Sequence, residues 1–288
     1  MIRGMGLFGP DGVSDVDDVR SWQQPGDGHP EPKLRDLFAR CSASPDDFVW
    51  LGLFEPTRDE LEMVARVFGL SRLHVEDCAN DQQRAKFELD EDGYGLAVLK
   101  TLDYVDATSD VHTGQLSVFV GPQYVVTVRF GQIGDLRTIQ RRVAADDRLR
   151  HHGPRAVLYA ILDSAVDTYV RVSDSVSDDV SDLEAEVFAT QPEASTTNAI
   201  YRLKRENVEI RRAVAPLVGW AHQATDERVS WVAETLAPDF RDIGDHVLRT
   251  MDTVESTDNL LMAMLMASTS LQDLQQNRDM RKISAWVA

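Results

Sequence analysis

Residues 245–288 read DHVLRTMDTVESTDNLLMAMLMASTSLQDLQQNRDMRKISAWVA, with no Gly or Pro among them; the nearest helix breakers upstream are Gly244 and Pro238. About 44 helical residues at 1.5 Å each make a rod of roughly 66 Å. Ile243, Val247, Met251, Val254, Leu261, Leu265 and Leu274 recur at three-, four- or seven-residue intervals with irregular gaps. A periodic apolar pattern of this length predicts a stalk, a coiled coil or the approach to a membrane. Arg278, Arg281 and Lys282 are followed by Ile283-Ser284-Ala285-Trp286-Val287-Ala288. Bases ahead of an apolar start that carries Trp match the cytoplasmic edge of a transmembrane helix. The expectation is therefore a stalk over 238–288 leading to a membrane segment that lies beyond this sequence. The bland alternative is a helix end whose bases complement the dipole.

Upstream, Pro154 suits a helix start, and no further Gly or Pro occurs before Pro192. Leu158, Ile161, Leu162, Ala165, Val166, Tyr169, Val172, Val176, Val180, Leu183 and Val187 supply the apolar positions. A second helix is predicted from about Ser195 to His222, kinked at Pro216. Residues 154–237 thus read as a helical hairpin packed on what precedes it.

Residues 33–153 carry strands joined mostly by turns, with helices before and after. Asp47-Phe48-Val49-Trp50-Leu51-Gly52-Leu53 reads as a buried strand. Thr57-Arg58-Asp59-Glu60 is a capping box, and Leu61, Val64, Ala65 and Phe68 continue a helix that Gly69 stops. A short helix from Ser71 carries His74, Glu76 and Asp77. Lys86–Leu89 with Tyr94–Tyr104, and Leu116–Val120 with Tyr124–Phe130, read as hairpins around Asp92-Gly93 and Gly121-Pro122. Gly134–Arg150 has helical periodicity. The class is α+β, with a mixed, largely antiparallel sheet followed by long helices, and not a doubly wound sheet. Residues 1–32, rich in Gly and Pro, read as a flexible tail. Within it, Gly4-Met5-Gly6-Leu7-Phe8-Gly9 matches G-x-G-x-x-G but lacks the strand–turn–helix setting of a dinucleotide loop.

The 288 residues hold 30 Lys+Arg against 48 Asp+Glu, a net charge of −18. Nucleic acid and anionic membrane surfaces would be repelled, and cations attracted. Two cysteines, Cys41 and Cys78, cannot build a disulfide framework or a Cys-rich zinc site. The chemical asset is carboxylate oxygen, which suits a hard divalent cation that keeps part of its water shell. Glu76-Asp77 supplies two adjacent carboxylates. Asp163, Asp167, Asp174, Asp178, Asp182 and Glu186 form a ladder at helical spacing, with Asp179 beside it. Its distal part has a plain alternative as a solvated helix face. His74 and Cys78 are spaced to share a helical face, but two ligands do not make a zinc site, and a small buried Cys is the preferred role for Cys78. There is no H-E-x-x-H, Walker A loop or G-x-S-x-G elbow.

Several stretches resemble the cytoplasmic part of CorA-type magnesium transporters. They are Glu60-Leu61 through Phe68-Gly69-Leu70, Val75-Glu76-Asp77, Gln83-Arg84-Ala85-Lys86-Phe87-Glu88, Leu158-Tyr159-Ala160-Ile161-Leu162-Asp163, Arg202-Leu203-Lys204-Arg205, Phe240-Arg241-Asp242, Asp252-Thr253-Val254-Glu255 and Asn277-Arg278-Asp279-Met280-Arg281-Lys282. The resemblance covers about residues 45–288. It implies an α/β/α sandwich with a stalk helix continuing into the membrane, a homopentamer at the cytoplasmic face of the cell membrane, and Mg2+ bound between subunits to hold the closed state. On that resemblance Asp77 and Asp242 match the principal inter-subunit site. Glu76 and Asp163 match a second site nearby, with Asp167 one turn on. Asn277, Met280 and Ile283 match the inner pore mouth. The departures are Ala85 where the family usually has Pro, Ile283 where Leu is frequent, and Met266 where some members carry an acidic ring. Asp273 and Asp279 are the acidic residues near enough to substitute. The family's Gly-Met-Asn loop would lie beyond Ala288.

The resemblance implies Mg2+, with Co2+, Ni2+ or Zn2+ as alternative divalent ions and a zinc-transporting relative as the runner-up. From another class, a metal-dependent hydrolase would need a clustered set of ligands and a base near its substrate. No such set is visible, so an enzyme is not expected. A coiled-coil scaffold with merely solubilising carboxylates is the remaining alternative, and indifference to Mg2+ would favour it.

Overall fold

Alternation along the strands gives one sheet two buried faces. In β3 (Phe48–Phe54), Val49, Leu51 and Leu53 join one core while Phe48 and Trp50 join another. A computed structural model of the chain describes residues 2–10, 12–15, 30–80, 83–131, 136–187, 195–225, 232 and 235–287. The other described strands are β1 (Ile2–Gly9), β2 (Gly12–Asp15), β4 (Lys86–Leu89), β5 (Gly95–Val105), β6 (Asp110–Gly121) and β7 (Tyr124–Phe130). Their order is β2-β1-β3-β7-β6-β5-β4. Among the described strands only β3 and β7 pair in parallel, with Leu51 opposite Val126; the remaining neighbours are antiparallel. The sheet is mixed and largely antiparallel, as expected.

Helices α1 (Glu31–Cys41), α2 (Arg58–Phe68) and α3 (Arg72–Cys78) cover one face, burying Leu34, Leu37, Leu61, Val64, Phe68, Val75 and Cys78. The capping box of α2 forms: Thr57 Oγ1 accepts from the Glu60 N–H at 3.3 Å, and Glu60 Oε2 accepts from the Thr57 N–H at 2.8 Å. Gly69 closes the helix in the left-handed region at φ 69°.

The other face carries α4 (Leu136–Ala145), α5 (Asp147–Arg150), α6 (Pro154–Val187), α7 (Ser195–Val214), α8 (Val218–Thr225) and α9 (Ala237–Val287). Pro216 acts as expected: a 3-10 turn over Ala215–Leu217 separates α7 from α8. Gly244 does not stop the last helix, which runs unbroken for 51 residues. Packing overrides its low helix propensity, because Phe240, Ile243 and Val247 on either side are buried. Polar ties fix α9 against α7. Asn207 Nδ2 donates to the Val254 carbonyl at 2.9 Å, and Lys204 bridges Asp258 at 2.8 Å. After Ser268 every described side chain of α9 is exposed, so the rod leaves the body there. Among the described residues, no helix is long and apolar enough to cross a membrane.

The N-terminal segment corrects the expectation of a flexible tail over 1–32. Residues 2–9 form β1, inserted between β2 and β3, and Ile2, Met5 and Phe8 are buried. Residues 16–29 lie outside the described ones. Glycine hid the strand, because Gly4, Gly6 and Gly9 blank out half of the alternation. Two of these glycines allow close packing: a Cβ at Gly6 would come 2.8 Å from the Phe8 ring, and one at Gly9 would collide with the Asp47 carboxylate. Phe8 instead lies over Phe48, ring centroids 5.2 Å apart. The G-x-G-x-x-G pattern is thus strand, not a phosphate loop.

A residue in a loose tail contributes nothing to stability, whereas truncating a buried Phe costs about 3–5 kcal/mol. Phe8→Ala is expected to lower unfolding stability by that amount in denaturant titration; a loss below about 0.5 kcal/mol would return residues 2–9 to a tail.

Candidate metal centre

Asp77 sits on α3, whose Val75 and Cys78 anchor it to the sheet and leave the acidic residues at its surface. Its carboxylate is engaged at both oxygens. Oδ2 accepts from Lys86 Nζ at 2.6 Å, and Oδ1 accepts from Gln83 Nε2 at 3.0 Å. Lys86, on β4, also reaches Glu88 Oε1 at 2.7 Å. Glu76, more exposed, accepts from Arg72 at 3.0 Å one turn back. His74 does not pair with Cys78: its Nε2 lies 3.5 Å from Glu88. Burial pushes the Cys78 thiol up to about 12, as its place in the core requires.

Asp163 and Asp167 lie one turn apart on α6, and Asp242 lies on α9. Asp163 accepts from the Arg142 guanidinium of α4, which also reaches the Tyr159 hydroxyl at 3.3 Å. Burial and then the neighbouring charge of Asp163 raise the pKa of Asp167, while His246, Arg142 and Arg171 oppose the rise. His246 Nε2 is 3.9 Å from Asp242, whose side chain is 67% exposed. Arg148 grips Asp239 through two bonds of 3.2 Å. The structure therefore brings Asp163, Asp167, His246 and Asp242 to one side of the helical layer.

Asp77 belongs to the α1–α3 face, and the residues around Asp242 pack in the other core. Among the described residues no hydrogen bond or ion pair joins the two. Nor do three His, Cys, Asp or Glu side chains converge where they could hold a metal ion, among those residues. The distal ladder residues Asp174, Asp178, Asp182 and Glu186 are exposed, as a solvated face would be. Asp179 differs by accepting from the Tyr104 hydroxyl; burial and that bond raise Tyr104 to about 12.

Asn277 and Met280 are exposed on the free part of α9, as are Met266 and Asp273. The side chains of Asp279 and Ile283 lie outside the described residues. Lys86, Arg142, Arg148 and His246 escaped the sequence reading as participants. Their pairings are tertiary, except His246, whose i,i+4 spacing from Asp242 was visible. Most of the donors are carboxylate oxygens, which suit a hard cation such as Mg2+, with the imidazole of His246 beside Asp242 as the nitrogen donor of the group.

Comparison with known proteins gives a consistent result. The family described as CorA-like Mg2+ transporter protein matches residues 45–288. The chain is 28% identical over 209 residues to the cobalt/magnesium transport protein CorA of Thermotoga maritima, covering 72% of this chain and 59% of that relative. It thus spans about three fifths of that protein's length. Among solved structures, the full-length CmaX protein superposes with a TM-score of 0.74 at 15% identity, over 98% of this chain and 81% of that one. The soluble domain of CorA from Methanocaldococcus jannaschii gives 0.68 at 16% identity, over 93% of this chain and 97% of that domain. At these identities the superpositions establish the fold.

Burial also pushes the Cys41 thiol up, with help from Asp47, to about 11. Both thiols are therefore neutral and shielded. In the native protein at pH 8 neither Cys41 nor Cys78 should take up iodoacetamide, and both should after denaturation. Mass spectrometry showing native labelling of Cys78 would contradict its place in the core.

Proposed function

The chain belongs to the CorA-like Mg2+ transporter protein family, and from that premise we propose that it is the cytoplasmic, Mg2+-sensing part of a divalent-cation transporter. In this proposal it works as a homopentamer at the cytoplasmic face of the cell membrane. Asp77 of one copy and Asp242 of the next hold Mg2+ between them, largely through its water shell. Glu76, Asp163 and Asp167 serve a second site nearby. The bound ion stabilises a closed arrangement, and Asn277, Met280 and Ile283 line the inner mouth of the pore. The transported substrate is Mg2+, with Co2+ or Ni2+ as further candidates.

One observation carries the proposal: α9 is a single unbroken helix that includes both Asp242 and Asn277. At 1.5 Å per residue the two are about 50 Å apart along one rod. A shift of the rod at its Asp242 end is therefore transmitted to the end beyond the body. The charge balance supports the same scheme. With −18 on each chain, packed copies repel, and a divalent cation between their carboxylates offsets that repulsion. A ligand that binds one arrangement better shifts the population towards it.

At a Mg2+ concentration about a hundred times its dissociation constant, such binding adds ~2.7 kcal/mol to the stability of the binding state. Mg2+ should therefore slow proteolysis of the chain and favour its assembly in sedimentation velocity, and chelation should reverse both. Asp77→Ala combined with Asp242→Ala should abolish the two responses. An undiminished response in the double variant would remove these residues from the role, and a parent chain indifferent to Mg2+ would leave a scaffold.

A further inference from the structure

We propose that the Lys86 ammonium is a built-in rival of Mg2+ for Asp77, so that the ion binds there only by displacing a tethered positive charge. The inference rests on the reading of Asp77 as a Mg2+ ligand and concerns how that site is regulated. Lys86 Nζ lies 2.6 Å from Asp77 Oδ2 while Gln83 Nε2 occupies Oδ1 at 3.0 Å. The oxygens that a hydrated cation would address are thus already accepting hydrogen bonds.

This pair is not a mobile surface contact. The Lys86 side chain is 22% exposed, against 90% for the Arg72 that serves Glu76. Its backbone is held in β4, opposite Val98 of β5. The next residue, Phe87, stacks on Trp220 of α8 at 5.2 Å, which pins the strand to the helical layer.

A resting place for the displaced group is present as well. Glu88 Oε1 lies 2.7 Å from the same nitrogen. When a divalent cation takes Asp77, the ammonium keeps one carboxylate partner instead of entering solvent without any. The event is an exchange of cations, and the affinity of the site reflects a difference between two favourable contacts. Lys86 then raises the Mg2+ concentration at which the site fills.

The test is a Mg2+ titration of the 288-residue chain, followed by protease protection and by calorimetry. Lys86→Met should lower the half-maximal Mg2+ concentration at least about fivefold, the order expected when a direct unit-charge competitor is removed. Lys86→Gln should move it in the same direction and serves if the Met variant folds poorly. Lys86→Arg, which keeps charge and reach, should stay within about twofold of the parent. Arg66→Gln removes one positive charge from α2, where Arg66 bridges Glu31, and should also stay within about twofold, because the Asp77 oxygens are held by Lys86 and Gln83 and not by Arg66, and solvent screens an exposed charge. Adding Asp77→Ala to Lys86→Met should cancel the gain. An unchanged midpoint in Lys86→Met and Lys86→Gln, or an equal fall in Arg66→Gln, overturns the inference. If Asp77→Ala with Asp242→Ala still abolishes the response in that case, the reading of the site stands without it. If that double variant responds like the parent, both fall.

Discussion

Thirty basic side chains cannot neutralise 48 acidic ones, so the distribution of the bases decides which carboxylates are committed and which remain open to an external cation. Several bases are fixed at tertiary joints. Arg142 links α4 to Asp163 on α6, Arg148 links α5 to Asp239 on α9, and Lys204 links α7 to Asp258 on α9. Lys86 links β4 to Asp77 on α3. The acids left over are concentrated on exposed faces, including the distal ladder of α6 and Asp242 on α9. A second copy of the chain meeting these faces would add like charge to like charge, which a cation from solution would offset.

Rigidity supplies the other half of the design. Aromatic contacts run from the sheet into the helical layer: Phe87 stacks on Trp220, Trp220 meets Phe240 edge-on at 6.2 Å, and Phe240 lies 5.6 Å from Tyr159. Phe240 is two residues from Asp242, so the Asp242 end of α9 is bound to β4 through packed rings. Interiors of this density transmit a displacement rather than absorb it. Beyond Ser268 the same helix has no described side chain buried in the body, and a movement imposed on its packed part is free to appear at its end.

Much of this architecture was legible because local signals agreed with tertiary packing. The capping box at Thr57, the left-handed stop at Gly69, the proline start of α6 and the break at Pro216 each follow from backbone chemistry within a few residues. β1 was missed because its glycines carry no side chain with which to display alternation. β6 was anticipated from Leu116 but begins at Asp110. Its early part, with Thr113, Gly114 and Gln115, lacks a run of large apolar residues and is held as strand by β5 lying opposite in continuous register. The carboxylates were identifiable by residue type and by family resemblance. Their partners were not, since Arg142 and Asp163 are brought together by the packing of α4 against α6, which no local pattern records.

Asp77 and Asp242, proposed to share an ion, differ in how firmly they are held. Asp77 is two-thirds covered and held at both oxygens by Lys86 and Gln83, so its position is set before any ion arrives. Asp242 is largely exposed, with a histidine 3.9 Å away, and can adjust to whatever faces it. Between two fixed acids, misregistry of copies would be punished by distance; between two loose ones, ordering entropy would oppose binding. In the proposed site, one fixed and one adaptable acid would tolerate small changes in the angle between copies while anchoring the ion to a defined place on α3. Under the proposed scheme such tolerance would matter, because the ion would control that angle. It also explains why the fixed member carries its own counter-cation: an acid immobilised beside Glu88 and Glu76 with no base nearby would be repelled by both even when no second copy is present.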